Sequence, residues 1–212
     1  MPHAPARDRS AASVHILRRT VVVCSLLLAA WSGMHVSPAQ AQQPFVTTAG
    51  DLNSLAWWVV AEFHPSTTTI RGIPVSKIRS SWCKATEFRP ELIPKELLSQ
   101  HGAEEMKTYK LAFALEGNFG GSAAKQVALV GVYEECSGQI GRFVLVLDQP
   151  THGPPKVRFV DALPTPHQFG ILSLRKDNAI VVWSCLECDG FAVLKWDRRK
   201  RRFGWLHDAG QG

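Results

Sequence analysis

Apolar residues recur along this chain in two rhythms. From Asp51 to Phe63 they fall at Leu52, Leu55, Ala56, Val59 and Phe63, a spacing that predicts a helix with one apolar face. Asp51 is placed to cap it and Pro65 to end it. A second helix is expected from about Pro90 or Pro94 to Gln100, with Gly102 just past its end. After that the rhythm changes. Residues 109–115 alternate weakly. Residues 127–133 and 143–147 are continuous apolar runs rich in β-branched residues, the pattern of strands buried on both faces. Residues 157–159 alternate as a half-buried strand does, and Pro164 and Pro166 then break the chain. Four short apolar segments follow at 171–174, 180–183, 191–196 and 203–206, and their spacing predicts an antiparallel meander. The fold class expected is α+β: N-terminal helices followed by an antiparallel β-sheet meander, as a single domain over 51–212.

The first 41 residues follow a different plan. Arg18-Arg19 precedes an apolar run from Thr20 to Ala30, and Ala39-Gln40-Ala41 follows. This is the layout of a signal peptide with cleavage after Ala41. The competing reading is a retained anchor, but Ser25, Ser32 and Gly33 interrupt the run. Cys24 follows Val23, where a lipidation signal carries a small residue. Residues 42–50 are expected to be a short mature leader. The expected location is periplasmic or secreted, with no membrane span after cleavage.

That compartment changes how the charges and cysteines read. The chain carries a net charge of +6, and residues 1–41 hold four Arg and one Asp, so the mature part has +3. Arg198, Arg199, Lys200, Arg201 and Arg202 form one basic run, and the remainder is slightly acidic. The overall charge therefore gives no support to a nucleic-acid partner. Cys83, Cys136, Cys185 and Cys188 remain after cleavage, an even count that reads as two disulfides with three possible connectivities.

Three features carry candidate chemistry. Cys185 and Cys188 are spaced as in a thiol–disulfide oxidoreductase. That chemistry places the reactive thiol at a helix N-terminus, whereas the flanking apolar segments and Asp189-Gly190 predict a hairpin turn. A structural disulfide, a redox pair and a zinc site are the readings, and zinc lacks a second closely spaced pair. The basic run 198–202 is either an anion or partner contact or a solvated hairpin tip. Trp57, Trp58, Trp82, Trp183, Trp196 and Trp205 either fill a core or stack on a ligand, and Trp183 and Trp196 are placed to face each other across one hairpin. His64, His101, His152, His167 and His207 lack metal spacing. Glu134 and Glu135 would point to opposite faces of a strand. No metal and no cofactor is expected, and no residue is nominated as catalytic.

Gly117-Asn118-Phe119, followed by Ala128-Leu129-Val130, resembles one blade of the integrin-type FG-GAP repeats of β-propellers. In that family a Gly-Asp-Phe loop leads into an Ala-Leu-Val strand. The resemblance implies antiparallel sheet. Asn118, Ser122 and Lys125 stand where the family's acidic calcium ligands would be, so it implies no calcium site. The chain is also too short for a propeller of four or more blades. The expected function is that of an exported, disulfide-containing, non-enzymatic module that binds an unidentified macromolecular or envelope partner. The alternative is a periplasmic thiol–disulfide oxidoreductase using Cys185 and Cys188.

Overall fold

The structure is a computed structural model that describes residues 43–52, 55–100, 102–165, 167–187 and 190–206. The expected signal peptide, Cys188, His101 and His207 lie outside them. Strands β1 (Val46–Thr48), β2 (Ala61–Phe63), β3 (Thr69–Ile70), β4 (Ile73–Pro74) and β5 (Trp82–Glu87) occupy the N-terminal part. Helices α1 (Trp57–Val60) and α2 (Val75–Ile78) lie among them. A 3-10 turn at Pro90–Leu92, α3 (Lys95–Gln100) and α4 (Ala103–Thr108) follow. Then come β6 (Ala114–Gly117), β7 (Lys125–Glu135), β8 (Ile140–Gln149) and β9 (Lys156–Leu163). The last four strands are β10 (Ile171–Leu174), β11 (Ile180–Trp183), β12 (Phe191–Asp197) and β13 (Arg202–Leu206).

The α+β expectation is corrected: the described residues are mostly antiparallel β, with four helices of four to six residues among them. The helix expected over 51–63 is a single turn, Trp57–Val60, and β2 takes its last three residues. Two forces act against it. Trp57, Trp58, Val59 and Val60 form that one turn but lose side-chain freedom in it, so they do little to extend it. The backbone of 61–63 instead pairs with Val46–Thr48, inside the segment expected to be a leader. Phe45 and Phe63 then meet with ring centroids 5.6 Å apart. The expected helix ending at Gln100 does form as α3, and Gly102 takes a left-handed conformation before α4.

The central sheet has the order β5-β7-β8-β9. β6 and β5 share one edge of β7, pairing with 126–129 and 131–135 respectively. Residues 127–133 and 143–147 are all buried. Val127, Leu129 and Tyr133 face α2 and the β3–β4 hairpin with Phe143, Leu145 and Leu147. Ala128, Val130, Val132, Val144 and Val146 face the other way, into the larger core. That second face is covered by a four-stranded meander, β10-β11-β12-β13, and by the rings of Trp57, Phe88, Phe113 and Phe169. The continuous apolar runs are thus buried on both faces as expected, and the meander forms where its pattern placed it. Among the described residues no helix is long and apolar enough to cross a membrane.

Cys83 and Cys136 form a disulfide that ties β5 to the end of β7 across a sequence separation of 53. The register between the two strands shifts from Trp82 to Lys84, leaving Cys83 as an unpaired bulge residue. Its side chain turns to the exposed edge while Trp82 stacks on Tyr133 at 4.7 Å.

Candidate functional site

The basic run sits at the tip of the β12–β13 hairpin. The strands pair as far as Asp197 and Arg202, which leaves 198–201 as the turn. Asp197 Oδ1 accepts hydrogen bonds from the backbone N–H groups of Arg199 (2.8 Å) and Lys200 (3.0 Å). The Lys200 bond, helped by that of Arg199 and by the nearby positive charges, lowers the Asp197 pKa below the usual carboxylate value. Arg201, with φ 49°, completes the turn in a left-handed conformation.

All five basic side chains are exposed. Lys200 Nζ lies 3.9 Å from Asp197 Oδ2. Arg198, Arg199, Arg201 and Arg202 make no ion pair among the described residues. A groove of about 420 Å³ runs beside the tip, lined by Lys195, Trp196, Lys200, Arg202, Phe203 and Trp205. Guanidinium donors beside indole faces suit an anion, since arginine offers a planar fork of N–H groups and stacks on rings. Lys195 is already engaged, donating to Asp177 Oδ2 at 2.8 Å.

The hairpin is held at its base by a loop that the sequence marked only as a loop. Gly120 (φ 119°) and Gly121 (φ 75°) lie against the Trp196 ring. A Cβ on Gly121 would come within 2.3 Å of that ring, so the contact requires glycine. Arg158 lies 5.4 Å from the centre of the Trp196 ring and donates from Nη2 to Gly121 O at 3.0 Å. Beneath the loop, buried Gln126 accepts from Phe119 N (2.9 Å) and Gly120 N (3.2 Å). Its amide donates to Gly120 O (3.1 Å) and Asp148 Oδ1 (2.8 Å). Asp148 Oδ2 is 3.8 Å from Arg158 Nε. Both carboxylate oxygens of Asp148 thus face charge or amide, and the loop, Trp196 and hairpin form one polar-cored unit.

The other candidates separate. Cys185 is disulfide-bonded and packs against the large core. The described residues joining β11 to β12 form bends, so Cys185 is not itself at the start of a helix as in the thioredoxin-type arrangement. The Trp183 and Trp196 pairing is corrected. Trp183 lies opposite Phe191 and Trp196 opposite Phe203, and the register puts the two tryptophans on opposite faces of the sheet. Trp57, Trp58 and Trp82 are buried; Trp183, Trp196 and Trp205 are half-buried. Glu134 pairs with Lys84 at 3.1 Å, and Glu135 accepts from Ser81 at 2.9 Å. Among the described residues no group of three or more His, Cys, Asp or Glu side chains is placed to hold a metal.

No family model, curated protein or solved structure matches this chain.

Proposed function

We propose that this chain is an exported, disulfide-stabilised β domain that works by binding, with the 198–202 hairpin tip as its contact for an acidic macromolecule outside the cytoplasm. The carrying observation is that four exposed arginines on one rigidly based tip make no ion pair within the described fold. Like charges so close repel one another, and an anionic partner relieves that repulsion. The signal-like N-terminus and the cysteines support the extracytoplasmic setting. The resemblance of the 117–130 segment to a propeller blade is compatible with a sheet that displays loops.

The test is affinity for a defined polyanion, a heparin oligosaccharide, measured at low and moderate salt. Replacing all five basic residues by Ser should lower affinity at least about tenfold and flatten its salt dependence, because exposed charge contacts are screened. The fold should be unaffected, as surface substitutions of this kind stay within about 0.5 kcal/mol. An unchanged affinity would remove the tip from the reading.

A further inference from the structure

The two sheets part at the end of the hairpin away from the basic tip and leave a cleft of about 730 Å³. That volume is in the range of small-molecule sites, roughly 300–1,000 Å³. One wall belongs to the central sheet. Val144 is paired with Asp161 and Arg142 with Leu163, so all four side chains share the inner face. The opposite wall carries Val182, Ser184 and Trp205. Leu163, Phe191 and Leu206 stand at the cleft with 39–44% of their surfaces exposed, while Val144 and Val182 are buried.

Two charged groups interrupt this apolar lining. Among the described residues Arg142 makes one hydrogen bond, from Nη1 to Phe169 O at 3.0 Å, which leaves four of its five N–H donors without a partner there. Burial lowers its pKa, and the Asp161 charge opposes that effect without forming an ion pair. Asp161 is held apart: its Oδ2 accepts from Trp205 Nε1 on the facing sheet at 2.9 Å. Among the described residues its other oxygen has no partner. A half-buried cation and a separate carboxylate, each with unspent hydrogen-bonding capacity, are costly to leave without a partner.

We infer that this cleft binds an amphoteric small molecule with an apolar body, of the class of hydrophobic amino acids and dipeptides. The ligand carboxylate is taken by the Arg142 guanidinium, whose fork matches its two oxygens. The ligand ammonium is taken by the open oxygen of Asp161. The apolar side chains lie against Leu163, Val182 and Trp205. The cleft carries one charge of each sign, so a purely anionic ligand would satisfy Arg142 but face Asp161 repulsion. The zwitterion answers both. None of the five residues of the basic run lines the cleft, although Trp205 and Leu206 line both the cleft and the groove beside the tip.

Calorimetric titration of the disulfide-intact protein with Leu-Phe, N-acetyl-Leu-Phe and Leu-Phe amide tests this. The free dipeptide should bind, and each blocked form should bind at least about tenfold more weakly, the loss expected for a charge-assisted hydrogen bond. Asp161→Asn keeps an acceptor for Trp205 Nε1 but loses the charge, and it should cease to distinguish the free amine from the acetylated form. Arg142→Gln should cease to distinguish the free acid from the amide. These are comparisons within one variant, so a modest loss of stability does not mimic them. The five-serine variant of the basic tip should bind the dipeptide unchanged. No heat of binding up to millimolar dipeptide, or blocked forms that bind as tightly as the free one, would overturn the inference.

Discussion

The β7–β8 and β12–β13 hairpins are built alike and carry opposite burdens. In the first, residues 127–133 and 143–147 are buried without a break, and the strands pair from Lys125 to Glu134. Its side chains are spent on packing. In the second, Val193, Leu194 and Phe203 are buried, Trp196 and Trp205 are half-buried, and Phe191, Leu206 and the tip are exposed. The same pairing geometry thus serves stability in one place and presentation in the other. What separates them is how far along the strands both faces are covered, since the uncovered ends keep chemistry to offer.

The sharpest way to break that comparison is to weaken the first hairpin and ask whether the second follows. Replacing Cys83 and Cys136 by Ala should cost about 4 kcal/mol, the chain-entropy value for a closed loop of 53 residues. Equilibrium urea unfolding measures it. Polyanion affinity of the still-folded fraction should be unchanged, because the bridge lies on β5 and β7, away from the tip. A smaller but cleaner contrast is Leu145→Ala against Leu206→Ala. Leu145 is fully buried, and its truncation should cost about 2–5 kcal/mol. Leu206 is 40% exposed, and its truncation should cost under about 1 kcal/mol while weakening dipeptide binding in the cleft. Equal destabilisation would mean that the second hairpin is as much core as the first.

Gly121→Ala probes the join between packing and presentation. A left-handed φ and a Cβ 2.3 Å from the Trp196 ring should together cost about 1–3 kcal/mol. Because Trp196 sits at the base of the hairpin, the tip should also become more mobile, read as faster amide exchange over 197–202. Slow exchange with the stability lost would show that the loop supports the core and not the tip.

Legibility in the sequence followed the same division. The meander and the doubly buried strands could be read because their apolar runs have one geometric solution each. The N-terminal third misled because Leu52, Leu55, Ala56, Val59 and Phe63 keep helical spacing, while Phe63 takes its place through pairing with Val46, seventeen residues earlier. Such a contact leaves no local periodicity. The basic tip was visible as a charge run between apolar segments. The loop that seats it was not, since the need for Gly120 and Gly121 comes from Trp196, some seventy-five residues away. Arg142 and Asp161 escaped notice for the related reason that a lone charge near the end of an apolar strand acquires meaning only when a second sheet closes over it.

The smallest expected effect concerns the β10–β11 turn, which ties the meander to the tip through Lys195. Asp177 accepts from Arg175 Nη2 (2.7 Å) and Nε (3.0 Å) and from Lys195 Nζ (2.8 Å). The Arg175 bonds first, and then the Lys195 bond, hold its pKa well below the usual carboxylate value of about 3.9. A depressed carboxylate contributes stability that is complete above the unfolded pKa, about pH 4. That contribution is lost as pH falls through the folded pKa. Asp177→Asn removes it, so the gap in urea midpoint between native and variant should be constant from pH 7 to about pH 4 and then close on further acidification. The gap itself should be small, because the group is exposed. The same substitution frees Lys195, which lines the groove beside Lys200 and Arg202. At neutral pH the variant should therefore bind the polyanion slightly more tightly while being slightly less stable. A midpoint gap that does not shrink at all between pH 4 and pH 2 would mean that Asp177 acts through its shape in the turn and not through its charge. Lys195 would then have no reserve to lend the tip.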